Sequence, residues 1–475
     1  MVTVDRAELN EAIRTTVMKA GLCDVHEHLL SRRQRADRDP GLLEWINSSY
    51  LWADLVSAGL DTTAFLDAST PFSQRWSALE EVLPAVRHTG YMEVCRRAWG
   101  DLCGMEGRHL DARSAGVVDA AIRQHNRDQA FSDAVLVGRC GVRRVLVDYQ
   151  VGGTAVHFFG QTEERDWYRY LLCVRPKLSE GLIGKYTIVR ELDLSYARPV
   201  VKIDSLFYGW LEAAASENHQ LLGVDTSRAR DLDGWSGIIE TAVRQAAGNG
   251  AVGLKNAHNC CRSPVLGPVD RRAAETVLRS RVDQLSPAHI IAFENFVFHE
   301  VARCAAQYGL PLQIHTGTTY GAGGLSSARA GSAELLAEFI QSHPQTTFVL
   351  MHASWPYWGE LEQMAKRYAN LHLDLSWAFM LGPTEAIRMM QSMWTSLPAS
   401  KLLWGGDCYY VEESYGALVQ ARRVVTEALA RLMEMDQINE AEAIDLAVRL
   451  FCTNGLKVFP RAVKDARLHA ANPPA

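Results

Sequence analysis

Two hydrophobic patterns divide the chain, and one gives way to the other around residues 135–145. Before that point, "LLEWINSSYLWADLVSAG" and "ALEEVLPAVRHTGYMEVCRRAWGDLCGM" space apolar residues three and four apart, which gives a helix one apolar stripe. The stretch from about 31 to 135 is therefore predicted to be helical; within it "LDTTAFLDAS" fits neither period cleanly. Beyond it, short and almost continuously apolar runs recur with helical material between them: "VRRVLVDYQ", "PVVKIDSLF", "AVGLKNAH", "LPLQIHTG", "TFVLMHAS", "NLHLDLSW" and "KLLWGGDC". With the run leading into "CDVHEHLL" they make eight. Strands covered on both faces lose the alternation of a half-exposed strand, so such runs read as parallel strands. Eight of them close a (β/α)8 barrel. The expected fold class is α/β, a TIM barrel with a helical insertion after its first strand, in a single domain over 1–475 with C-terminal helices at about 411–475.

Polar residues interrupt these runs at their carboxyl ends. His26 and His28 stand two apart, and alternation along a strand turns both to one side, where two imidazoles can grip one cation. Lys255, His315, His352 and Asp407 each end a further run. In a barrel those ends converge on one face, so metal-type groups from five strands arrive together.

Composition narrows the partner. The 475 residues carry a formal charge of −6 and no basic run, which argues against nucleic acid and for a small-molecule substrate. Ten cysteines without a CxxC pair fit a reducing compartment. The first residues lack the apolar core of a secretion signal, and no apolar stretch is long enough for a membrane span. A cytoplasmic protein without membrane attachment is expected, and homo-oligomerisation is left open.

The arrangement resembles the amidohydrolase superfamily of metal-dependent barrels, whose pattern is HxH after the first strand, often Lys or Glu after the fourth, His after the fifth and sixth, and Asp after the eighth. Here His26 and His28, Lys255, His315, His352 and Asp407 occupy those places. The segments "LPLQIHTGTTYGAGG", "FVLMHASWPYWGELEQMAKRYANLHLDLSW" and "KLLWGGDCYYVEESYGAL" resemble more narrowly the amidohydrolase-related branch, which includes barrels fused to glutamine-synthetase-like domains. Uronate isomerases are similar at a greater distance.

The resemblance implies a divalent metal held by His26, His28, His315 and Asp407. Imidazole nitrogens with a carboxylate suit zinc first, with manganese or iron as alternatives. Asp407 is expected to move the proton of the attacking water, and His352 to hold a second metal or polarise the substrate carbonyl. Lys255 is either a carboxylated bridge between two ions or an ammonium facing a substrate carboxylate. Arg262, His258, Tyr320, Trp355, Tyr357 and Trp377 are candidates for substrate contact, as are Glu27, Tyr409 and Glu413. The expected activity is metal-dependent hydrolysis of an amide, lactone or related bond in a small carboxylated molecule. Aldose–ketose isomerisation and metal-dependent decarboxylation are the alternatives.

Overall fold

The structure is a computed structural model that describes residues 4–67, 69–149, 195–207, 209–210, 222–257, 266–281, 284–318 and 331–463. Its strands are β1 (Leu22–Glu27), β2 (Val142–Tyr149), β3 (Ala197–Lys202), β4 (Gly253–Asn256), β5 (Leu312–Ile314), β6 (Phe348–Leu350), β7 (Leu371–Asp374) and β8 (Leu402–Leu403). Each coincides with one of the eight apolar runs, β3 beginning two residues ahead of "PVVKIDSLF". They form one sheet in chain order. Every register from β3 to β7 is parallel, and Val25 N–H donates to the carbonyl of Trp404, just past β8, at 3.0 Å. The last strand thus returns to the first, as a (β/α)8 barrel requires.

The chain divides into two compact units. The first contains Met1–Val145, Tyr320–Ala322 and Asp374–Gly455, and the second Leu146–Thr319, Gly323–Leu373 and Leu456–Ala475.

In the first unit the insertion after β1 is helical, as its period predicts. Helices run over Arg32–Arg38, Leu42–Ser48, Leu51–Ser57, Thr62–Leu66, Phe72–Val86, Gly90–Cys103 and Ala112–Arg127. The ambiguous "LDTTAFLDAS" thus contains the short Thr62–Leu66 helix. The long apolar pattern that follows breaks at Thr89, which is extended and whose Oγ accepts Met92 N–H at 3.3 Å, capping the next helix. The stripes of these helices meet in a core of Trp45, Leu51, Leu79, Trp99 and Ile122, which also receives Trp377, Cys408 and Tyr410 from beyond β7 and β8. The insertion therefore packs on the segments that carry polar strand-end groups. At the end of β8, a Cβ on Gly405 would stand 2.8 Å from His26 N and one on Gly406 2.1 Å from Glu27 Oε1. Only glycine lets β8 pass so close to β1.

The second unit contains β3 to β6 and most of β7, together with the helices Leu232–Gly248, Arg271–Arg279, Pro287–Tyr308 and Trp358–Arg367. Among the described residues no helix is long and apolar enough to cross a membrane. The described cysteines are buried free thiols.

Candidate metal centre

Alternation along β1 has the predicted result in the first unit. His26 Nε2 lies 2.9 Å from Asp407 Oδ1, and His28 Nε2 lies 3.2 Å from the same oxygen. One donor atom from each of the three residues falls within 4.8 Å of the other two. Asp407 follows β8 with φ 61°, a left-handed conformation that Asp tolerates better than most side chains. Its backbone N–H donates to the His26 carbonyl at 2.8 Å, fixing it against β1.

The other carboxylate oxygen is held from the insertion. Tyr50, between the Leu42–Ser48 and Leu51–Ser57 helices, donates its hydroxyl to Asp407 Oδ2. Its ring is stacked between Trp377, at 5.0 Å, and Tyr91, at 5.6 Å. Burial and then the Asp407 charge push the phenol well above its usual range, so it remains a donor at any physiological pH. Tyr50 N–H in turn donates to Glu413 Oε1 at 3.1 Å. Burial raises Glu413 to about 8, a shift that the donated N–H only partly offsets.

Glu27 lies between the two histidines and therefore faces the other way. Its carboxyl accepts Ser414 Oγ–H and Cys408 N–H, while Asp24 Oδ1 accepts His26 N–H and Gly406 N–H at 3.1 Å each. Burial raises both acids, Asp24 to about 7, and the Asp24 charge lifts Glu27 further. Glu27 thus ties β1 to the β8 segment from inside the frame, and the expectation that it contacts substrate is corrected. Tyr409 stacks on His28 at 5.3 Å.

The second unit carries the remaining polar strand ends. His315, after β5, receives or donates a hydrogen bond at Nδ1 from His352 Nε2, 3.0 Å away, and its Nε2 lies 3.2 Å from the Thr318 carbonyl. His352, Ala353 and Ser354 have φ of 60°, 52° and 51° in succession. Left-handed non-glycine residues cost on the order of 1–3 kcal/mol each, and such strain clusters at functional sites. Lys255 Nζ lies 3.6 Å from Asp148 Oδ2, with both side chains buried. Trp355 and Tyr357, just past this turn, are partly exposed, whereas Trp377 in the first unit is buried against Tyr50. Arg262, His258 and Tyr320 lie outside the described residues.

Three residues of this arrangement were not anticipated. Asp148 and Asp374, the latter buried at the end of β7 in the first unit and accepting Ser376 N–H at 2.8 Å and Ser376 Oγ–H at 2.9 Å, lie near the ends of the runs "VRRVLVDYQ" and "NLHLDLSW", so the rule that singled out Asp407 reaches them too. Tyr50 has no such signal, because its partner is 357 residues away.

Two imidazole nitrogens and a carboxylate oxygen converging at a buried point form a borderline nitrogen–oxygen donor set, which fits a divalent transition ion better than calcium or magnesium. His26, His28 and Asp407 are the group in this unit that could hold such an ion.

Residues 237–440 match the amidohydrolase family. A stretch of 195 residues, 38% of this chain, is 26% identical to Protein fluG of Emericella nidulans, and the match spans about a fifth, 22%, of that protein's length. Among solved structures, a glucuronate isomerase from Caulobacter crescentus superposes with a TM-score of 0.71 at 14% identity, covering 96% of this chain and 94% of that one. A uronate isomerase from Thermotoga maritima gives 0.67 at 14% identity over 97% and 100%. A Lactobacillus casei protein described as a metal-dependent hydrolase gives 0.58 at 16% identity over 95% and 99%. At these identities the structures speak for the fold. The matched segment supplies β4 to β8 of a (β/α)8 barrel whose first strand leads into the HxH pair.

Proposed function

We propose that the chain is a metal-dependent hydrolase acting on an amide, lactone or related bond of a small carboxylated molecule. The observation that carries this reading is the convergence of His26 Nε2 and His28 Nε2 on one oxygen of Asp407. Zinc is the first choice for the ion, and the superfamily pattern adds His315 to the ligands. Bound there, the ion supplies Lewis-acid polarisation and activates water at neutral pH.

The chain's own residues then manage protons and charge. Asp407 accepts the proton of the attacking water and returns it to the leaving group, with Tyr50 holding Oδ2 so that the carboxylate keeps its orientation. Lys255 works as an ammonium. Its buried neighbour Asp148 would repel the extra negative charge of a carboxylated lysine at 3.6 Å but is a good counter-charge for a cation. His352, held by its hydrogen bond to His315, polarises the substrate carbonyl by donating a hydrogen bond to its oxygen. Arg262, His258, Tyr320, Trp355 and Tyr357 are the proposed contacts to the rest of the substrate.

A second reading is aldose–ketose isomerisation of a uronate. It is supported by the two isomerase structures, whose superpositions cover 96–97% of this chain. Metal-dependent decarboxylation is the least supported alternative.

The deciding experiment joins metal analysis to a substrate panel. Protein purified without chelator should carry about one divalent ion per chain, and His26→Ala or His28→Ala should retain less than about half of that while remaining folded. A panel of carboxylated lactones, carboxylated amides and free uronates then separates hydrolysis from isomerisation. Wild-type metal content in both variants would remove the centre.

Tyr50→Phe tests the insertion's part. It should keep the metal but lower turnover about tenfold, since a hydrogen bond to a charged group is worth about 1.5–3 kcal/mol and only part of it is felt in the transition state. Parallel loss of metal would instead make Tyr50 a determinant of the site's assembly.

A further inference from the structure

A concavity in the first unit, about 810 Å³ in volume, is lined by Arg6, Arg87, Arg96, Arg97, Arg108 and Arg423. None of the three metal-centre residues borders it. Among the described residues that line it, two carboxylates, Glu93 and Glu427, stand against these six guanidiniums, and Glu434 beside it pairs with Arg6 at 3.0 Å, in a chain whose overall charge is −6. Glu93 alone pairs with Arg96 at 2.6 Å, Arg97 at 2.9 Å and Arg423 at 2.7 Å, and Glu427 with Arg6 at 2.7 Å. Three guanidiniums bring about fifteen N–H donors to the two oxygens of Glu93, so most of that donor capacity is not spent on it. Arg87 and Arg108 are exposed and make no hydrogen bond or ion pair with any described residue.

Two further features add to the charge. The helices Gly90–Cys103 and Pro383–Ser396 both begin on this wall, through Thr89 and Gly90 in one and Pro383 and Thr384 in the other. Helix starts carry partial positive charge and backbone N–H groups suited to phosphate. The same wall contains Gln420, which is 5% exposed and whose Oε1 has no hydrogen-bond partner. A buried acceptor left without a donor is costly, and a ligand that brings a hydroxyl removes the cost.

We propose that this cavity binds a small organic phosphate that carries a hydroxyl group. The phosphate sits among Arg87, Arg108 and the Glu93-linked arginines near the two helix starts, and the hydroxyl donates to Gln420 Oε1. Guanidinium forks match phosphate oxygens in pairs, and the net positive charge of the wall favours a dianion over a monocarboxylate. The volume suits a small molecule.

Calorimetric titration of the full metal-loaded chain tests this, with glucose 6-phosphate as the hydroxyl-bearing probe and inorganic pyrophosphate as the probe without carbon-bound hydroxyls. Glucose 6-phosphate should bind one saturable site with Kd below about 1 mM, weakening as salt rises. Arg87→Glu with Arg108→Glu, which breaks no internal bond, should weaken both probes at least tenfold and leave metal content unchanged. Gln420→Leu should weaken glucose 6-phosphate several-fold and spare pyrophosphate. Absence of saturation in this range, or undiminished affinity in the double arginine variant, overturns the site. Equal weakening of both probes by Gln420→Leu overturns the assignment of the hydroxyl.

Discussion

Asp407→Asn is expected to lower kcat/KM by about 10²–10⁴-fold, the range that a general base supplies, while lowering metal content much less. The two effects separate because Asp407 uses its oxygens differently. Oδ1 faces His26 and His28, and Oδ2 receives the Tyr50 hydroxyl. An asparagine retains an oxygen that coordinates weakly, and the frame that holds it is made by the backbone N–H to the His26 carbonyl, which the substitution leaves in place. What it loses is the capacity to take a proton. The comparison is kcat/KM on the best substrate of the panel against metal per chain, for wild type and variant. Turnover within about threefold of wild type would exclude Asp407 from proton transfer.

The second large effect is on stability. Arg35, in the first helix of the insertion, forms a two-pronged ion pair with Glu412, at the start of the Val411–Glu434 helix. Its Nε also donates to Asn126 Oδ1 at 2.7 Å, and His125 Nδ1 lies 2.9 Å from Glu412. Side-chain exposure is 4% for Arg35 and 0% for Glu412. Removing one member of a buried pair strands the other charge, which costs about 3–5 kcal/mol, so Arg35→Ala should shift the denaturant midpoint strongly. Acid sensitivity gives an independent reading. Burial alone would raise Glu412, but the Arg35 charge and the His125 hydrogen bond outweigh it and hold the carboxyl at about 2, below its ordinary 4.5. The stability this contributes is complete above about pH 4.5 and is lost as pH falls toward 2. In Arg35→Ala that acid-dependent loss should shrink. An unchanged midpoint and an unchanged acid limb would show that the pair is not an anchor.

Much of the barrel was legible because strands covered on both faces leave an unmistakable trace, a short run with no polar alternation. All eight runs became strands, down to β8, which is only two residues long. The HxH pair was legible for an equally simple reason, since period two turns His26 and His28 together and Glu27 away. Partners distant in the chain left no trace. Nothing in "SSYLWAD" marks Tyr50 as a partner of Asp407, and nothing in "RRQRADR" marks Arg35 as the counter-charge of Glu412. Those pairings arise from how the insertion's helices fold back on the segment after β8, which local periodicity does not encode. The arginine-lined cavity is similar, because its six guanidiniums come from separate stretches between Arg6 and Arg423.

The Tyr50 hydroxyl on Asp407 also bears on how this barrel can be reduced or transplanted. Loops grafted at strand ends are often treated as interchangeable modules, with a catalytic frame beneath that survives their exchange. Here a carboxylate of that frame is oriented from the module, and the module in turn rests on Glu413 through the Tyr50 backbone. Shortening the helices between β1 and β2 would take away one of the hands holding Asp407, so a minimal version of this barrel has to carry the insertion's Tyr50 corner with it.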